Sequence, residues 1–466
     1  MADLRASARA VASFGATMRP FPAVLLVLAV ALGGCRATPG AERPNFILML
    51  ADDLGYGDLR CTGHPYAKTP SIDRLASEGT LFLNFYQAGA TCVPTRTALM
   101  TGRFPARFPK HPLYFGFEGA VTITELLRRE GYRTGHFGKW HIGPVHALGT
   151  YGIDSVAVMG GAPRSPQGRD AAAINAAIEF IGANRERPFY VNIWFNSVHY
   201  KIYPHASFKA PFAHLTVRRA DFPNPDMQEH FNAYEALGGD LDEGMKNYLA
   251  EVLQLDSQVA RVLKAIEEFG LREKTIVAFT SDNGPGLCTQ KTGPTRTVLR
   301  ENMLGSAGPF RGRKHDYYDG GIHQALIVRW PGHVMEGRVD DTSVVAGVDW
   351  LPTLCTVAGI SFEPRGFDGE DVSDIWLGSS RGRRKDLFWR GVSSTDRPVI
   401  LRGSWKLHLR PRGVVKLYDL AGDPGERDDL ADVHPATAQD LREALEQWNS
   451  SLPASHEGTP GDGADE

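Results

Sequence analysis

Net charge is almost absent from this 466-residue chain: 51 basic residues stand against 54 acidic ones, a balance of −3. That balance offers no basic patch of the kind a nucleic-acid binder needs, so no nucleic-acid partner is expected. Cysteine is scarce. Cys35, Cys61, Cys92, Cys288 and Cys355 are too few for a disulfide scaffold, and no Cys/His spacing supports a zinc site. Long apolar runs are missing as well. Ala23–Leu32 (AVLLVLAVAL) covers ten residues, about half of what a bilayer span takes. No internal repeat is present. Glycine (50) and proline (30) are plentiful, so much of the chain is turn and loop, yet 42% hydrophobic residues are enough to close a sizeable core.

The N-terminus has the marks of a targeting segment. Arg19 precedes the apolar run, Arg5 and Arg9 lie further back, and Leu32-Gly33-Gly34-Cys35 closes it. A basic flank, a short apolar core and small residues read as a signal peptide over residues 1–35. Its end resembles a bacterial lipobox, which implies cleavage before Cys35 and lipidation of that sulfur. Export to the periplasm or cell envelope follows, with a lipid anchor at Cys35 as the expected membrane attachment. If Cys35 is lipidated and Cys92 has a chemical role, three cysteines remain, and at most one disulfide joins two of Cys61, Cys288 and Cys355. Residues 36–44 read as a tether.

Beyond it, short apolar runs alternate with amphipathic stretches. Asn45–Ala51, Tyr132–Phe137, Phe189–Phe195, Thr275–Thr280 and Ala325–Trp330 read as strands. Ser71–Ser77, Thr122–Glu130, Asp170–Ala183, Asp242–Glu268 and Val348–Val357 read as helices. This alternation predicts an α/β fold, a large mainly parallel sheet flanked by helices, over residues 45–380. Tyr200–Gly239 and Leu287–Phe310 read as long irregular loops on the substrate side. After Gly378–Lys385 (GSSRGRRK) the pattern changes to Leu387–Arg390, Val399–Arg402, Trp405–Leu409 and Val414–Asp419, then a helix from about Ala436 to Leu452. Residues 381–453 are expected to form a small antiparallel sheet with one helix, and residues 454–466 a disordered tail.

Four predicted strands run into chemically able residues. They are Asp52-Asp53, Gly138-Lys139-Trp140-His141, Asn196-Ser197-Val198-His199 and Ser281-Asp282-Asn283-Gly284. Parallel strands would gather all four groups at one sheet edge, where ligands bind in open α/β sheets. Asp52, Asp53, Asp282 and Asn283 form an all-oxygen set suited to Ca²⁺ or Mg²⁺. Arg96, Lys139 and Lys314 add positive charge, and His141 and His199 add proton transfer. Cys92 sits near a predicted helix start, with Pro94 in the first turn. Alone it is better explained by packing, but beside a cation and two lysines it fits hydrolysis of an anionic ester.

Cys92-Val93-Pro94-Thr95-Arg96 resembles the C-x-P-x-R signature of type I sulfatases, the formylglycine-dependent, arylsulfatase-like members of the alkaline phosphatase superfamily. Gly131–His141, Asn45–Asp53, Thr280–Gly284 and Phe310–His323 resemble further family segments in order, as do Trp405-Lys406-Leu407 and Leu417–Leu420. The resemblance implies an alkaline phosphatase-like fold and a sulfuric ester hydrolase. It implies that a formylglycine-generating enzyme converts Cys92 to formylglycine, whose hydrate is the nucleophile. One Ca²⁺ would be held by Asp52, Asp53, Asp282, Asn283 and the modified Cys92. Lys139 and Lys314 would clamp sulfate, Arg96 would hold the modified residue, His199 would protonate the leaving alcohol, and His141 would assist sulfate release. The substrate would be a sulfated glycan or a small sulfate ester such as an aryl sulfate.

Two departures stand out: Val93 and Thr95 inside the signature, and Tyr200-Lys201-Ile202 after His199, where many relatives have proline. Lys201, Arg164, Arg169 and His323 are candidate contacts beyond the sulfate, and His205 and His315 are alternatives to His199. The competing functions are a phosphodiesterase or phosphonate monoester hydrolase of the same superfamily, and a sugar-binding relative without activity. The Asp/Asn set with two lysines fits one Ca²⁺ and sulfate better than the two transition metals many phosphodiesterases use.

Overall fold

The computed structural model describes residues 43–453, apart from 144–147, 159–164, 288, 292–296, 300, 362–365 and 392–396. The expected signal segment with Cys35, Cys288, Arg164 and the expected C-terminal tail lie outside the described residues. Strand β1 (Asn45–Ala51) is buried along its whole length, and its side chains divide by twos. Ile47, Met49 and Ala51 enter one core, while Phe46, Leu48 and Leu50 enter another on the opposite face. A strand covered on both faces needs apolar residues at every position, which is why it reads as an unbroken apolar run.

Along the chain follow β2 (Thr80–Tyr86), β3 (Arg133–Gly138), β4 (Ser155–Ala157), β5 (Phe189–Trp194) and β6 (Thr275–Ser281). A short hairpin, β7 (Thr289–Lys291) and β8 (Thr297–Leu299), precedes β9 (His323–Arg329), β10 (Arg338–Asp340) and β11 (Val345–Ala346). The main sheet has the order β10-β2-β9-β6-β1-β5-β3-β4, with β11 also paired to β2. β6, β1, β5, β3 and β4 run parallel to one another, and β9 is antiparallel to both of its neighbours. The long helix Leu241–Glu268 lies on one face with Ala171–Ala183 and Pro70–Ser77. Its buried Met245, Leu249, Val252, Val259, Leu263 and Ile266 recur at the three-and-four spacing of a core-facing helix. Cys92–Thr101, Ile123–Arg129 and Trp350–Val357 line the other face.

The chain ends in β12 (Leu387–Trp389), β13 (Val399–Arg402), β14 (Trp405–Leu409) and β15 (Val415–Asp419), an antiparallel sheet in that order. Helix Pro435–Ser450 covers it through Leu441, Leu445 and Trp448. Tyr86, Ala98, Ile322 and Val348 from the large sheet's side join the same apolar cluster. The predicted layout is therefore present, a mainly parallel sheet between helices with a small antiparallel sheet and helix. No helix among the described residues is long and apolar enough to cross a membrane.

The sequence reading needs correction at Tyr200–Gly239. This stretch contains helices Ala206–Lys209 and Pro225–Ala236, and Met227, Phe231 and Tyr234 are buried in the first core. Those residues stand at i, i+4 and i+7, with Pro225 in the first turn and the Asn224 side chain accepting from Asp226 N. The helical spacing is thus present, masked by the polar residues between. β2 is not among the strands expected from the sequence. Cys61, Cys92 and Cys355 are free thiols.

Candidate active site

Adjacent parallel strands β6, β1, β5 and β3 end together, and backbone hydrogen bonds continue past their ends. Asp282 N donates to Ala51 O (3.0 Å), Asp52 N to Ser197 O (3.0 Å), Val198 N to Asp52 O (2.8 Å) and Lys139 N to Trp194 O (2.8 Å). Consecutive residues of a strand point to opposite faces, so Asp52 and Asp53 could not share a site in extended backbone. Asp53 takes φ 60°, which turns its carboxylate toward its neighbour's. Gly138 has φ 101°, and a Cβ there would lie 2.0 Å from Trp194 O. Only glycine lets the chain pass that carbonyl before Lys139.

Cys92 opens the helix Cys92–Thr101, with Thr91 before it. Arg96 stands one helical turn on, so both residues share a face. The Arg96 guanidinium is fully buried. Its Nε and Nη2 donate to Asp282 Oδ2 (3.2 and 2.7 Å), its Nη1 to Lys139 O (2.9 Å), and it lies 5.1 Å over the Trp194 ring.

Ligand atoms of Asp52, Asp53, Cys92 and Asp282 all lie within 4.8 Å of one another, and all four residues are buried. Cys92 Sγ is 3.3 Å from Asp52 Oδ1, 3.5 Å from Lys139 Nζ and 3.6 Å from Lys314 Nζ. Lys139 Nζ is 2.6 Å from Asp52 Oδ2, and Lys314 Nζ 3.0 Å from Asp53 Oδ1. Asn283 Nδ2 donates to Asp53 Oδ1 (2.8 Å). That leaves Asn283 Oδ1 buried with no hydrogen-bond partner among the described residues. An orphaned amide oxygen beside three carboxylates fits a hard cation. His199 Nδ1 is 2.7 Å from Tyr200 O and its Nε2 3.8 Å from Asp53 Oδ2. His141 has φ 59°, and its Nδ1 is likewise buried without a hydrogen-bond partner among the described residues.

The electrostatics separate these groups. Burial alone would lift Asp52, but Lys139, His199 and Arg96 hold its carboxyl well below the usual range. Burial and the Asp52 charge push Asp282 up to about 6 against the pull of Arg96. Burial opposes charge on Lys314, yet Asp53 and Cys92 raise it above the ordinary lysine value. Burial, Asp282 and Asp52 push the Cys92 thiol well above its usual value. Burial, with Lys139 and Arg96, takes His141 down to about 3. Burial also lowers His199, against the upward pull of Asp53 and Asp52.

All ten residues singled out in the sequence meet at this one place. The further candidates fare differently. His323 is a buried residue of β9 bonded to Asp319 and Leu83 O. His205 caps helix Ala206–Lys209. Lys201 is exposed. Arg169 donates to backbone carbonyls of the His199 segment. The sequence reading missed the carboxylates behind that segment, Asp170 and Glu251, which both meet Ser197. Asp170 preceding an alanine-rich run carries the signature of a helix cap, which disguises its other role.

The family model described as Sulfatase matches residues 44–360. The chain is similar to human arylsulfatase A, 30% identical with 91% of this chain and 89% of that protein covered. It is also similar to the N-acetylgalactosamine-6-O-sulfatase of Bacteroides thetaiotaomicron, 25% identical over 87% of this chain and 93% of that protein. Among solved structures, the PsFucS1 sulfatase from Pseudoalteromonas sp. superposes with a TM-score of 0.66 at 20% identity, covering 90% of this chain and 92% of that one.

Proposed function

The chain belongs to the sulfatase family, and we propose that its ten clustered residues divide the work of sulfate-ester hydrolysis as follows. The buried Asp52-Asp53-Cys92-Asp282 cluster is the family's Ca²⁺ and formylglycine site, on an alkaline phosphatase-like fold. Asp52, Asp53, Asp282 and the free amide oxygen of Asn283 would hold the cation. When present, Ca²⁺ and the formylglycine made from Cys92 supply charge compensation and the nucleophilic oxygen. Lys139 and Lys314, both within 3.6 Å of the Cys92 sulfur, meet the sulfate oxygens. Arg96 braces Asp282 and the Lys139 carbonyl.

The charges fit an anionic ester. Asp52, Asp53 and Asp282 balance Arg96, Lys139 and Lys314, so a bound dication leaves the site positive. The two ammonium groups that now face carboxylates can then turn to sulfate. Tyr200 O can only accept, so its contact fixes the proton of neutral His199 on Nδ1. His199 must therefore become imidazolium before Nε2–H can protonate the leaving oxygen. His141, held neutral, is the proton acceptor for sulfate release.

The observation that carries this reading is the buried Cys92 sulfur, 3.3 Å from Asp52 Oδ1, 3.5 Å from Lys139 Nζ and 3.6 Å from Lys314 Nζ. The substrate is a sulfated carbohydrate or an aryl sulfate, in keeping with the relatives named above. A formylglycine-generating enzyme is the maturation partner. Residues 45–380 carry the site, 381–453 form the smaller unit, and export with a lipid anchor at Cys35 places the enzyme at the cell envelope. The test is peptide mass analysis of the Cys92 region, after expression with a formylglycine-generating system, beside a sulfate-release assay. An unmodified thiol in fully active protein, or phosphonate turnover exceeding sulfate turnover, overturns the reading. Cys92→Ala is expected to abolish turnover and leave the thermal unfolding midpoint close to that of the parent.

A further inference from the structure

Arg169 and Asp170 grip both ends of the segment that carries His199. Asp170 sits at the N-cap of helix Ala171–Ala183 but makes no capping bond to it. Its carboxylate accepts from Asn196 N (2.8 Å), Asn196 Nδ2 (3.0 Å), Ser197 N (3.1 Å) and Ser197 Oγ (2.7 Å). Arg169 Nη1 donates to His199 O (2.7 Å) and Lys201 O (3.0 Å), and lies 3.5 Å from Glu251 Oε1. Glu251, fully buried midway along Leu241–Glu268, also places Oε1 3.0 Å from Ser197 Oγ. A serine hydroxyl has one proton and cannot donate to two carboxylates at once. Ser197 Oγ therefore serves one of the two carboxylates at a time. The four side chains form a closed chain around one short piece of backbone.

That piece is fixed on its other side to the metal-ligand strand, through Asp52 N to Ser197 O and Val198 N to Asp52 O. Arg169 and Glu251 touch none of the groups that face sulfate. What they fix is where His199 hangs relative to Asp52. Resting on the reading of His199 as the acid, we propose that Arg169 and Glu251 are positioning residues. They aim His199 Nε2 at the ester oxygen, so that its proton passes to that oxygen as the S–O bond breaks. They serve the departure of the alcohol, not the binding of sulfate.

Leaving groups separate this role from a merely structural one. 4-Nitrophenyl sulfate expels a stable phenolate with little need of a proton, whereas an alkyl or sugar sulfate needs one. Arg169→Gln, Glu251→Gln and His199→Ala are compared in Ca²⁺-loaded, formylglycine-bearing protein, with metal content and unfolding midpoint recorded. We expect the first two to lower kcat on the alkyl sulfate by about 10- to 100-fold. Their kcat on 4-nitrophenyl sulfate and both KM values stay within about threefold of the parent, a spread worth under ~1 kcal/mol. Arg169→Lys, which keeps the charge, restores part of the loss. Glu251→Gln keeps the side-chain shape and decides the matter where Arg169→Gln does not fold. Equal losses on both substrates, or a change confined to KM, overturn the proposal. Leaving-group dependence in His199→Ala alone defeats the positioning role and spares the acid. Its absence in His199→Ala defeats the acid and the positioning role together.

Discussion

At the scale of single residues, the site depends on backbone torsions as much as on side chains. Asp53, Gly138 and His141 all have positive φ; Gly138 is the last residue of β3, and the other two lie just beyond strand ends. Gly138→Ala would set a Cβ 2.0 Å from Trp194 O at a torsion unsuited to alanine. Stability should fall by about 1–3 kcal/mol, and the displaced Lys139 should lower kcat/KM by about 100-fold, read from unfolding curves and sulfate release. His64 gives a pH prediction away from the chemistry. Its Nδ1 accepts from Tyr66 N and Ala67 N, and burial, reinforced by Arg60, takes it from 6.5 to about 3. A base depressed by folding contributes stability that is whole above its unfolded value and drains away as pH falls. Between pH 6.5 and about 3 this residue should cost up to about 1.4 kcal/mol per pH unit. His64→Asn, which keeps an acceptor and cannot titrate there, should flatten that part of the stability–pH curve.

At the scale of elements, the sequence was most legible where function and strand end coincide. Asp52-Asp53, Lys139, His199 and Asp282-Asn283 follow apolar runs that are strands, and parallel pairing brings them together with no further information. Arg96 and Cys92 could be placed on one helix face by spacing alone. What stayed illegible was long-range satisfaction of buried polar groups. Lys406 on β14 is fully buried, 2.5 Å from Asp319 Oδ1 and 3.0 Å from Glu426 Oε1. Asp319 opens the turn whose Gly321 O accepts from Gly284 N, next to Asn283, a proposed metal ligand. No local pattern reveals such a pairing, because its members lie 87 positions apart in the chain. Breaking one partner of a buried ion pair strands the other. Lys406→Met should therefore cost about 3–5 kcal/mol by denaturant unfolding. Adding Asp319→Asn should cost less than the sum of the two single changes.

At the scale of the whole molecule, two sheets and one site are tied by charge. Three carboxylates from β1 and β6 are neutralised by cations from the helix of Cys92, the end of β3 and the loop at Lys314. A cation in that cluster joins segments from opposite ends of the catalytic region, and it binds the folded chain in preference to the unfolded one. Removing calcium with a chelator should abolish sulfate release and lower the unfolding midpoint, and added Ca²⁺ should restore both. At a hundredfold excess over its dissociation constant the ion contributes about 2.7 kcal/mol, a shift readily measured by calorimetry. An unchanged midpoint would separate the cation from the fold.

The burial of Cys92 has a consequence for the order of events in the life of the chain. Its side chain is 3% exposed, at the first position of a helix whose other residues are nearly all buried. No second protein can reach that sulfur once the helix has packed. Conversion has to act on the nascent or still unfolded polypeptide, in competition with collapse of the core around it. The faster the large sheet closes, the more copies are sealed with an unconverted thiol that nothing can later repair. Under the proposed maturation, the fraction of active molecules is a kinetic quantity, set by a race between the modifying enzyme and folding, and two preparations with identical structures can differ in it.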